Sequence, residues 1–561
     1  MIGPLKFLSR ETRGMHQAAY VLAAFSFLSQ LTGVLRDRIL AASFGAGHTL
    51  DLYYAAFRLP DFLFATFASL FSLYALLPVL SRFEAEQEGM MIAFLRGVML
   101  VFFAGMTVIA MIAYILTPAL APLLAPGLAG GASGAELVLL IRILLLQPIL
   151  LGASNTIASL TQLRHRFVLY SVSPLLYNFG IIFGALVMYP LWGLPGLVSG
   201  VVLGALLHML VQLPYFLAEK TNARMPLTKL LQGVKDVLML SVPRTLALAS
   251  TQISLAALTA IASLLTAGSI AIFTFAYNLQ SVPLTIIGIS YSVAAFPTLA
   301  RLHAQGARKD FLNYVEAALR HIIFWSIPAT VFLIVMRAQV VRVILGAGRF
   351  DWTDTRLTAA ALALFVLSLT VQSLTLVIAR AYYASGDTKK PFYYGCTDVL
   401  VSIGSGIALL WFFHSNLFFR DFCESLLRVD DVPGTAVLML AFGYTLGSTI
   451  EFIVSYLFFM RDFAVSHLGL VRLSFESFCA SVIGAATTYG ILSISHWNIQ
   501  IDTTLALIVQ STIAGSVGLA VTAMMLLILK NREFSEAIIS IRKRLTDQPR
   551  AVVVEPHDIS S

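Results

Sequence analysis

A succession of long apolar stretches restricts the fold of this chain more than any other feature. Fourteen such stretches are separated by polar residues, glycine or proline, and each has room for the ~20 apolar residues that cross a bilayer as a helix. Only 12% of the residues are charged and 58% are hydrophobic, whereas soluble domains average about 25% and 45–50%. The sequence therefore predicts an all-α polytopic membrane protein of about 14 transmembrane helices. It excludes a cytosolic enzyme.

The basic residues between these stretches alternate from one side of the membrane to the other. With the N-terminus inside, the inner segments hold 23 lysines and arginines and the outer loops hold 4. Because basic residues accumulate on the cytoplasmic side, we predict a multi-pass protein of the cytoplasmic membrane with both termini in the cytoplasm. The net charge of +8 follows from this orientation, and no nucleic-acid partner is needed to explain it. The predicted spans cover residues 18–45, 50–82, 90–123, 135–162, 167–189, 192–218, 231–265, 269–300, 311–345, 357–385, 391–414, 434–460, 473–495 and 502–529.

Residues that carry enzymatic or metal chemistry are sparse and scattered. Cys396, Cys423 and Cys479 are far apart, and the ten histidines show no paired ligand spacing. We therefore predict no catalytic residue, no metal and no cofactor. No phosphate-binding loop of an ATPase is found, so any transport is not driven by hydrolysis in this chain.

Two short motifs recur at an offset of about 220 residues. The pattern Ala-x-x-Pro-x-Leu-x-Arg occupies 75–82 at the end of span 2 and 294–301 at the end of span 8, and 29–32 resembles 251–254. The offset is six spans, so both halves have the same orientation, as in transporters whose substrate site lies between parallel repeats. We predict two pseudo-symmetric six-helix lobes and two C-terminal helices. The segments are the N-lobe (1–230), the C-lobe (231–465), spans 13 and 14 (466–530) and a basic cytoplasmic tail (531–561), which either forms an interfacial helix or is solvated.

Charged residues inside the predicted spans are costly, so they should pair or face a watery cavity. Arg58 and Asp61 are three residues apart and are predicted to pair on one helix face; the same spacing logic pairs Glu316 with Arg320. Arginine holds phosphate or diphosphate groups through its planar fork of donors. The charged residues of spans 1 and 2 are Arg36, Asp37, Arg38, Asp51, Arg58 and Asp61, and those further along are Arg142, Arg244, Glu316, Arg320, Arg380, Asp398 and Glu451.

Several motifs resemble the MurJ (MviN) family. The first is Gly-x-x-Arg-Asp-x-x-x-Ala-x-x-Phe-Gly-Ala-Gly at 33–47, followed by Asp-x-x-x-Ala-Ala-Phe-Arg-Leu-Pro at 51–60. The others lie at 345–350, 379–383 and 387–391. The resemblance covers all fourteen spans in order. It implies a flippase of the multidrug/oligosaccharidyl-lipid/polysaccharide superfamily that moves lipid II, an undecaprenyl-diphosphate precursor of peptidoglycan, to the outer leaflet for cell-wall synthesis.

The resemblance also implies a cationic cavity between the lobes and a groove for the lipid tail in spans 13 and 14. The implied partners are a lipid-linked saccharide, membrane lipids and cell-wall synthesis proteins. This chain departs from the family pattern, because Gln30 replaces a usual cavity arginine, Asn278 lies where an Asp-Arg pair is expected, and 64–72 is uncharged. The candidate cavity residues are Arg36, Arg58, Asp37, Gln30, Gln252, Asn278 and Arg244.

Three functions remain open from the sequence. The first is a flippase for lipid II or another lipid-linked saccharide, in which residues 1–230 rock against 231–460. The second is a cation-coupled exporter in which Asp398 or Glu451 is central. The third is a non-transporting scaffold of envelope synthesis. A net positive, inward-facing cavity would favour the first function, a lone buried carboxylate the second, and a filled interior the third.

Overall fold

The computed structural model describes residues 15–71, 73–86, 89–164, 166–219, 221–464, 470–498, 504–536 and 538–539. Within these residues the chain is helical and contains no strand. Short π-helical segments at Gly184–Met188 and Leu284–Ile289 and 3-10 turns at Ala68–Phe71 and Pro126–Leu128 join some of the α-helices. The α-helices are α1 (Met15–Phe44), α2 (His48–Ala56), α3 (Arg58–Thr66), α4 (Leu73–Glu86), α5 (Met90–Leu124), α6 (Gly131–Leu144), α7 (Leu146–Leu163), α8 (Phe167–Phe183), α9 (Tyr189–Trp192), α10 (Leu194–Leu210), α11 (Leu213–Ala218), α12 (Leu227–Ala262), α13 (Ser269–Pro283), α14 (Ser290–Ala304), α15 (Arg308–Val335), α16 (Arg337–Leu345), α17 (Trp352–Val366), α18 (Leu369–Ala384), α19 (Lys389–Ser415), α20 (Leu417–Leu427), α21 (Val437–Asp462), α22 (Leu470–Asn498) and α23 (Thr504–Ile528).

The polytopic all-α fold is confirmed. Among the described residues, ten helical stretches are long and apolar enough to cross a membrane. Helices α17 and α18, which are bent by 42° relative to each other, make an eleventh if they form one span. These eleven coincide with predicted spans 3–6 and 8–14. Predicted span 1 corresponds to α1, span 2 to α2–α4 and span 7 to α12. These three are not among the eleven candidates, so the count of fourteen stays a prediction.

Predicted span 2 is divided into short helical segments rather than one continuous helix. Helix α2 ends at Ala56, and α3 begins at Arg58 with Pro60 in its first turn. Proline has no backbone N–H to donate, so it suits the first turn of a helix, where the N–H groups have no intrahelical acceptor. This restart at Arg58 sets that side chain at a helix junction near the centre of the molecule.

The two lobes share one hydrophobic core at one end only. We call this end the outer end, because the loop charges assign it to the outside. There the ring of Tyr54 in the N-lobe lies 5.7 Å from that of Phe275 in the C-lobe, within a single cluster built from both lobes. Towards the inner end each lobe has its own cluster, one around Phe94 and one around Tyr382. The lobes are therefore joined at the end we call outer and are more independent at the opposite end.

Helix α12 is shared between the lobes. Its first turns pack in the N-lobe cluster through Val237, Ser241 donates a 2.5 Å hydrogen bond to the Leu70 carbonyl, and Arg82 pairs with Asp236 at 3.0 Å. Its later turns pack against α19 of the C-lobe. The inner part of α12 thus belongs to the N-lobe by contact, although it follows the lobe boundary in sequence.

Helices α22 and α23 pack against each other and attach to the C-lobe through α15 and α16. Arg320 on α15 contacts both Glu316, at 3.8 Å, and Glu533 after α23. The predicted Glu316–Arg320 pair is therefore confirmed. Residues 532–536 and 538–539 are helical, and the basic tail from residue 540 lies outside the described residues.

Candidate binding cavity between the lobes

A cavity of about 280 Å³ lies between α1, α2 and α3 on one side and α12 and α13 on the other. Five of the seven candidate residues line it together, although they come from four helices in two lobes. These five are Arg36, Asp37, Arg58, Gln252 and Asn278. The remaining lining residues are Leu40, Tyr53, Tyr54, Phe57, Asp61, Gln147, Tyr177, Ile181, Leu255, Phe273, Thr274 and Tyr277.

The other two candidates are not among these lining residues. Gln30 precedes Arg36 by six residues on α1, which is about 9 Å along a helix axis, and its side chain is half-buried. The side chain of Arg244 lies outside the described residues. A cavity role for either residue stays a prediction.

Arg36 is held in a fixed position by two partners. Its Nε and Nη2 lie 2.9 and 2.8 Å from Oδ1 of Asp37, and its Nη1 donates a 3.0 Å hydrogen bond to Oδ1 of Asn178 on α8. Asn178 is oriented in turn by its own donation to the Ser29 carbonyl and to Thr32 on α1. Three of the five guanidinium donors are used in this way, which leaves two for another acceptor.

Asp37 connects the lobes inside the cavity. Its Oδ1 accepts from Arg36 on the same helix, and its Oδ2 accepts a 3.3 Å hydrogen bond from Nδ2 of Asn278 on α13. The carboxylate is buried. An uncharged residue of the C-lobe is therefore linked to the acidic member of the Arg36–Asp37 pair.

Arg58 is buried, and the expected pair with Asp61 is not formed. No nitrogen–oxygen contact within 4 Å joins these two side chains, and Nε of Arg58 has no hydrogen-bond partner among the described residues. Both side chains line the cavity instead of closing on each other. The fork of Arg58 is thus available to a ligand.

Tyrosine and threonine hydroxyls add neutral donors that the sequence analysis missed. The hydroxyls of Tyr54 and Thr274 are buried without a partner in the described part of the chain, and Tyr177 accepts a 3.2 Å hydrogen bond from Gln147. A buried donor left unpaired costs about 1–3 kcal/mol. The signal that could have revealed them is the Tyr53-Tyr54 doublet in the middle of an apolar run.

Among the described side chains, which do not include that of Arg244, the cavity is not the cationic one that the resemblance implies. The lining holds two arginines, Arg36 and Arg58, and two aspartates, Asp37 and Asp61, so its formal charge is balanced. The physical reason is that each arginine has an acidic neighbour within three residues, while Asn278 adds no charge. What the cavity offers is therefore a set of oriented donors rather than a large net charge.

The outer end of this cavity is closed by a helix cap that crosses the lobes. Asp51 on α2 accepts hydrogen bonds from the backbone N–H groups of Gly268 at 2.6 Å and Ala271 at 2.9 Å, at the start of α13. A carboxylate at a helix N-terminus satisfies free N–H groups and complements the helix dipole. Asp51 is therefore a structural part of the closure.

Further contacts across the outer end reinforce this closure. The N–H of Ala46 donates to Asp354 at 3.0 Å, and Nη1 of Arg38 donates to the Ile344 carbonyl at 3.2 Å. The backbones also approach closely at Gly268, where φ is +93° and a Cβ atom would lie 2.2 Å from the Ala46 carbonyl oxygen. Opening the outer end requires all of these contacts to separate.

A second cavity, also of about 280 Å³, lies within the C-lobe. Asp398, Glu451 and Arg380 line it together, and Asp398 accepts hydrogen bonds from Ser254 at 3.0 Å and Ser402 at 3.1 Å. This cavity therefore contains two carboxylates and an arginine, rather than the lone buried carboxylate that would favour an exporter.

The chain is similar to known lipid flippases in both sequence and fold. The family model described as lipid II flippase MurJ matches residues 40–509. A relative from Rhizobium tropici, named probable lipid II flippase MurJ, is 29% identical over 400 residues, which covers 68% of this chain and 73% of the relative.

Two solved structures share the fold. One, described as lipid II flippase MurJ in an inward closed conformation, superposes with a TM-score of 0.71 at 19% identity and covers 91% of this chain and 100% of that chain. The other, an inward-facing multidrug resistance MATE family transporter of the MOP superfamily, gives 0.63 at 14% identity and covers 80% and 100%. Because the family model spans most of its length, this chain belongs to the lipid II flippase MurJ family, whose members are transporters of the cytoplasmic membrane and not enzymes.

Proposed function

We propose that this chain moves lipid II across the cytoplasmic membrane by alternating access, with the N-lobe and C-lobe rocking about the central cavity. The observation that carries the proposal is the set of unpaired, buried donors between the lobes, above all Arg58. Such donors are favourable only when a polar ligand binds them. Membership of the family supplies the identity of that ligand.

In this proposal the diphosphate of the lipid binds between Arg36 and Arg58. Arg36 retains two donors beyond its contacts with Asp37 and Asn178, and Arg58 offers its whole fork. Hydroxyls of Tyr54 and Thr274, with the amide of Gln252, would bind the remaining phosphate or sugar oxygens. Charge-assisted hydrogen bonds of this kind are about twice as strong as neutral ones.

The cavity must widen to admit a complete headgroup. Its volume of about 280 Å³ is just below the ~300–1,000 Å³ typical of ligand pockets. Since the lobes share a core at the outer end and have separate cores inside, widening at the inner end disrupts fewer contacts. We infer that substrate enters from the inner leaflet and leaves after the outer closure opens.

Opening the outer end has a moderate free-energy cost. Each hydrogen bond across it, such as those made by Asp51, Ala46 and Arg38, contributes about 0.5–1.5 kcal/mol net. One charge crossing 100 mV is worth about 2.3 kcal/mol. The membrane potential can therefore offset the loss of a few of these hydrogen bonds, and ligand binding would have to supply the rest.

The remaining parts have proposed roles. Residues 466–530 would hold the lipid tail along α22 and α23, which expose large apolar side chains such as Val471 and Phe475. The tail at 531–561 and the N-terminus would lie in the cytoplasm, and cell-wall synthesis proteins would be partners.

The C-lobe cavity supports a second candidate function, cation-coupled export. Asp398 and Glu451 both line it, and Tyr277 borders both this cavity and the central one. In an exporter, transport would depend on these carboxylates and on an ion gradient, and it would be indifferent to Arg58.

The test is reconstitution in proteoliposomes with fluorescent lipid II placed in one leaflet. Arg58→Ala should reduce translocation to background, whereas Arg58→Lys should retain part of it, because lysine keeps the charge but not the planar fork. Arg142→Ala is the matched control, since Arg142 lies on a span but binds the Tyr114 carbonyl away from the cavity. Full activity of a well-folded Arg58→Ala protein would refute the proposed site, and activity lost only in Asp398→Asn and Glu451→Gln would favour the exporter.

A further inference from the structure

A separate cavity of about 600 Å³ lies at the outer end of the C-lobe, away from the central cavity. It is bordered by α15 to α17, α20 and α22 and contains three arginines, Arg337, Arg356 and Arg428. We call it the outer arginine cavity. No aspartate or glutamate is among the described residues that line it. The other lining residues are Ile334, Val335, Ala338, Gln339, Trp352, Ala359, Leu426, Leu427, Tyr489, Leu492 and Ser493.

Only one of the three arginines has a carboxylate partner. Arg356 forms a bidentate pair with Asp431, at 2.8 and 2.6 Å, and Asp431 is itself 73% exposed. Among the described residues, Arg337 and Arg428 make no ion pair. Two positive charges of this cavity are thus left without a counter-charge in the described part of the protein.

The two uncompensated arginines lie close together. Nη2 of Arg337 approaches the carbonyl oxygen of Leu427 at 3.4 Å, one residue before Arg428 in the chain. Arg428 in turn donates a 3.0 Å hydrogen bond to the hydroxyl of Tyr489 on α22. Like charges held next to each other repel, so the arrangement is more stable when an anion lies between them.

A purely structural role explains only part of this arrangement. Arg337 and Arg356 bind the free carbonyls at the C-terminus of α20, a common use of basic side chains. Arg337 spends two of its five donors in this way, on Ile334 and Leu427, and Arg428 spends one on Tyr489. Capping the helix requires neither the unused donors nor a cavity.

Helix α20 indicates where the cavity lies relative to the lipid. It is strongly amphipathic, and its apolar side chains Leu417, Phe418, Phe422 and Leu426 are 73%, 81%, 55% and 67% exposed. A helix with such a face lies at the boundary between headgroups and acyl chains. Leu426 belongs both to this face and to the cavity lining, so the cavity adjoins the outer leaflet at headgroup depth.

We propose that the outer arginine cavity binds the phosphate of an anionic lipid of the outer leaflet. Arg337 and Arg428 bind the phosphate oxygens together with the Tyr489 hydroxyl. Leu426 and Leu492 contact the first carbons of the lipid chain. This site is independent of the central cavity, and binding there does not require that the chain transports lipid II.

The test is native mass spectrometry of the purified protein with phosphatidylglycerol, and with phosphatidylcholine of the same acyl chains as the comparison lipid. We expect wild type to prefer phosphatidylglycerol, because the choline cation is repelled by the arginines. In Arg337→Gln/Arg428→Gln the apparent affinity for phosphatidylglycerol should fall about 25-fold, since each arginine near an anionic lipid surface contributes about fivefold. Arg349→Gln is the control, because Arg349 is an exposed arginine of the same outer end that does not line the cavity.

The outcomes decide the proposal in each case. Equal binding of phosphatidylglycerol by wild type and Arg337→Gln/Arg428→Gln overturns it, as does equal binding of the two lipids by wild type. Displacement of phosphatidylglycerol by an equimolar amount of inorganic phosphate would identify a site for free phosphate and overturn the lipid source. If the glutamine variant does not fold, Arg337→Lys/Arg428→Lys replaces it. This lysine variant is expected to keep the preference for phosphatidylglycerol, because both charges remain. Loss of that preference in a folded lysine variant would count against a charge-based site.

Discussion

Asn278 on α13 donates a 3.3 Å hydrogen bond to Oδ2 of Asp37 on α1, and this contact joins the two lobes at the wall of the central cavity. Asp37 simultaneously holds Arg36 through its other oxygen. The position of the arginine is thus coupled to the relation between the lobes. A ligand that draws Arg36 away from Asp37 would leave Asn278 as the remaining donor to that carboxylate among the described residues.

Replacement of Arg36 separates binding from structure. Arg36→Ala leaves the buried Asp37 without its cation, so we expect less folded protein in the membrane. Arg36→Ala/Asp37→Ala should restore the amount of folded protein, measured by fluorescence-detected gel filtration. Translocation of lipid II should remain at background in both variants if Arg36 binds the diphosphate. Normal translocation by the folded double variant would remove that role.

Removal of the cap that crosses the lobes should favour the outward-open state. Asp51→Ala deprives the N–H groups of Gly268 and Ala271 of their acceptor. Loss of an N-cap costs about 0.5–2 kcal/mol. A cysteine that replaces Thr274 in the cavity should therefore react with a reagent added outside roughly 2- to 30-fold more. Asn416→Ala is the matched control, because Asn416 caps α20 within the C-lobe by accepting from the N–H of Phe419. Equal labelling in both variants would show that the cap does not hold the closure.

Close approach of the two backbones should make one glycine sensitive to a single methyl group. Gly268→Ala introduces a Cβ atom 2.2 Å from the Ala46 carbonyl oxygen, so the outer ends must move apart. Gly306→Ala has a comparable positive φ, +68° against +93°, but no atom within 4 Å of the new carbon. Backbone strain of about 1–2 kcal/mol is common to both. An increase in outer labelling is expected only in Gly268→Ala, and an equal increase in Gly306→Ala would contradict this explanation.

The orientation can be measured directly in a variant in which Cys396, Cys423 and Cys479 are replaced by alanine. New cysteines at Gly131 and Ser415, both exposed at the outer end, should react with an impermeant reagent in intact cells. A cysteine at Lys389, which is exposed at the opposite end, should react only after permeabilisation. Reaction of the last position in intact cells would overturn the assignment of inner and outer ends.

Much of the fold is predictable because transfer of charge and of apolar surface into the bilayer has large, opposite free energies. The same reasoning identified Arg36 and Asp37, since charges in an apolar run need a partner or a cavity. It paired Arg58 with Asp61 wrongly, because residues three apart on α3 can both face the central cavity without their side chains meeting.

The parts that sequence reasoning missed depend on tertiary contacts or on neutral groups. Asn178 lies 142 residues from Arg36 in the chain, and no local pattern indicates their hydrogen bond. Tyr54 and Thr274 resemble ordinary core residues until their hydroxyls are seen to lack partners. Asp51 is an outer-loop neighbour in sequence and becomes a cap only when α13 of the other lobe lies against it.

Because α12 is packed with the N-lobe by its first turns and with the C-lobe by its later turns, the lobes cannot part along that side without losing contacts on both. In the proposed rocking motion, the line about which the lobes turn should therefore run near α12, and the gap should widen towards the far side of the molecule. For a substrate with a long lipid chain, we therefore expect a lateral entrance on the side of the molecule away from α12. A molecule wedged into that entrance would stop the cycle without touching any residue of the cavity.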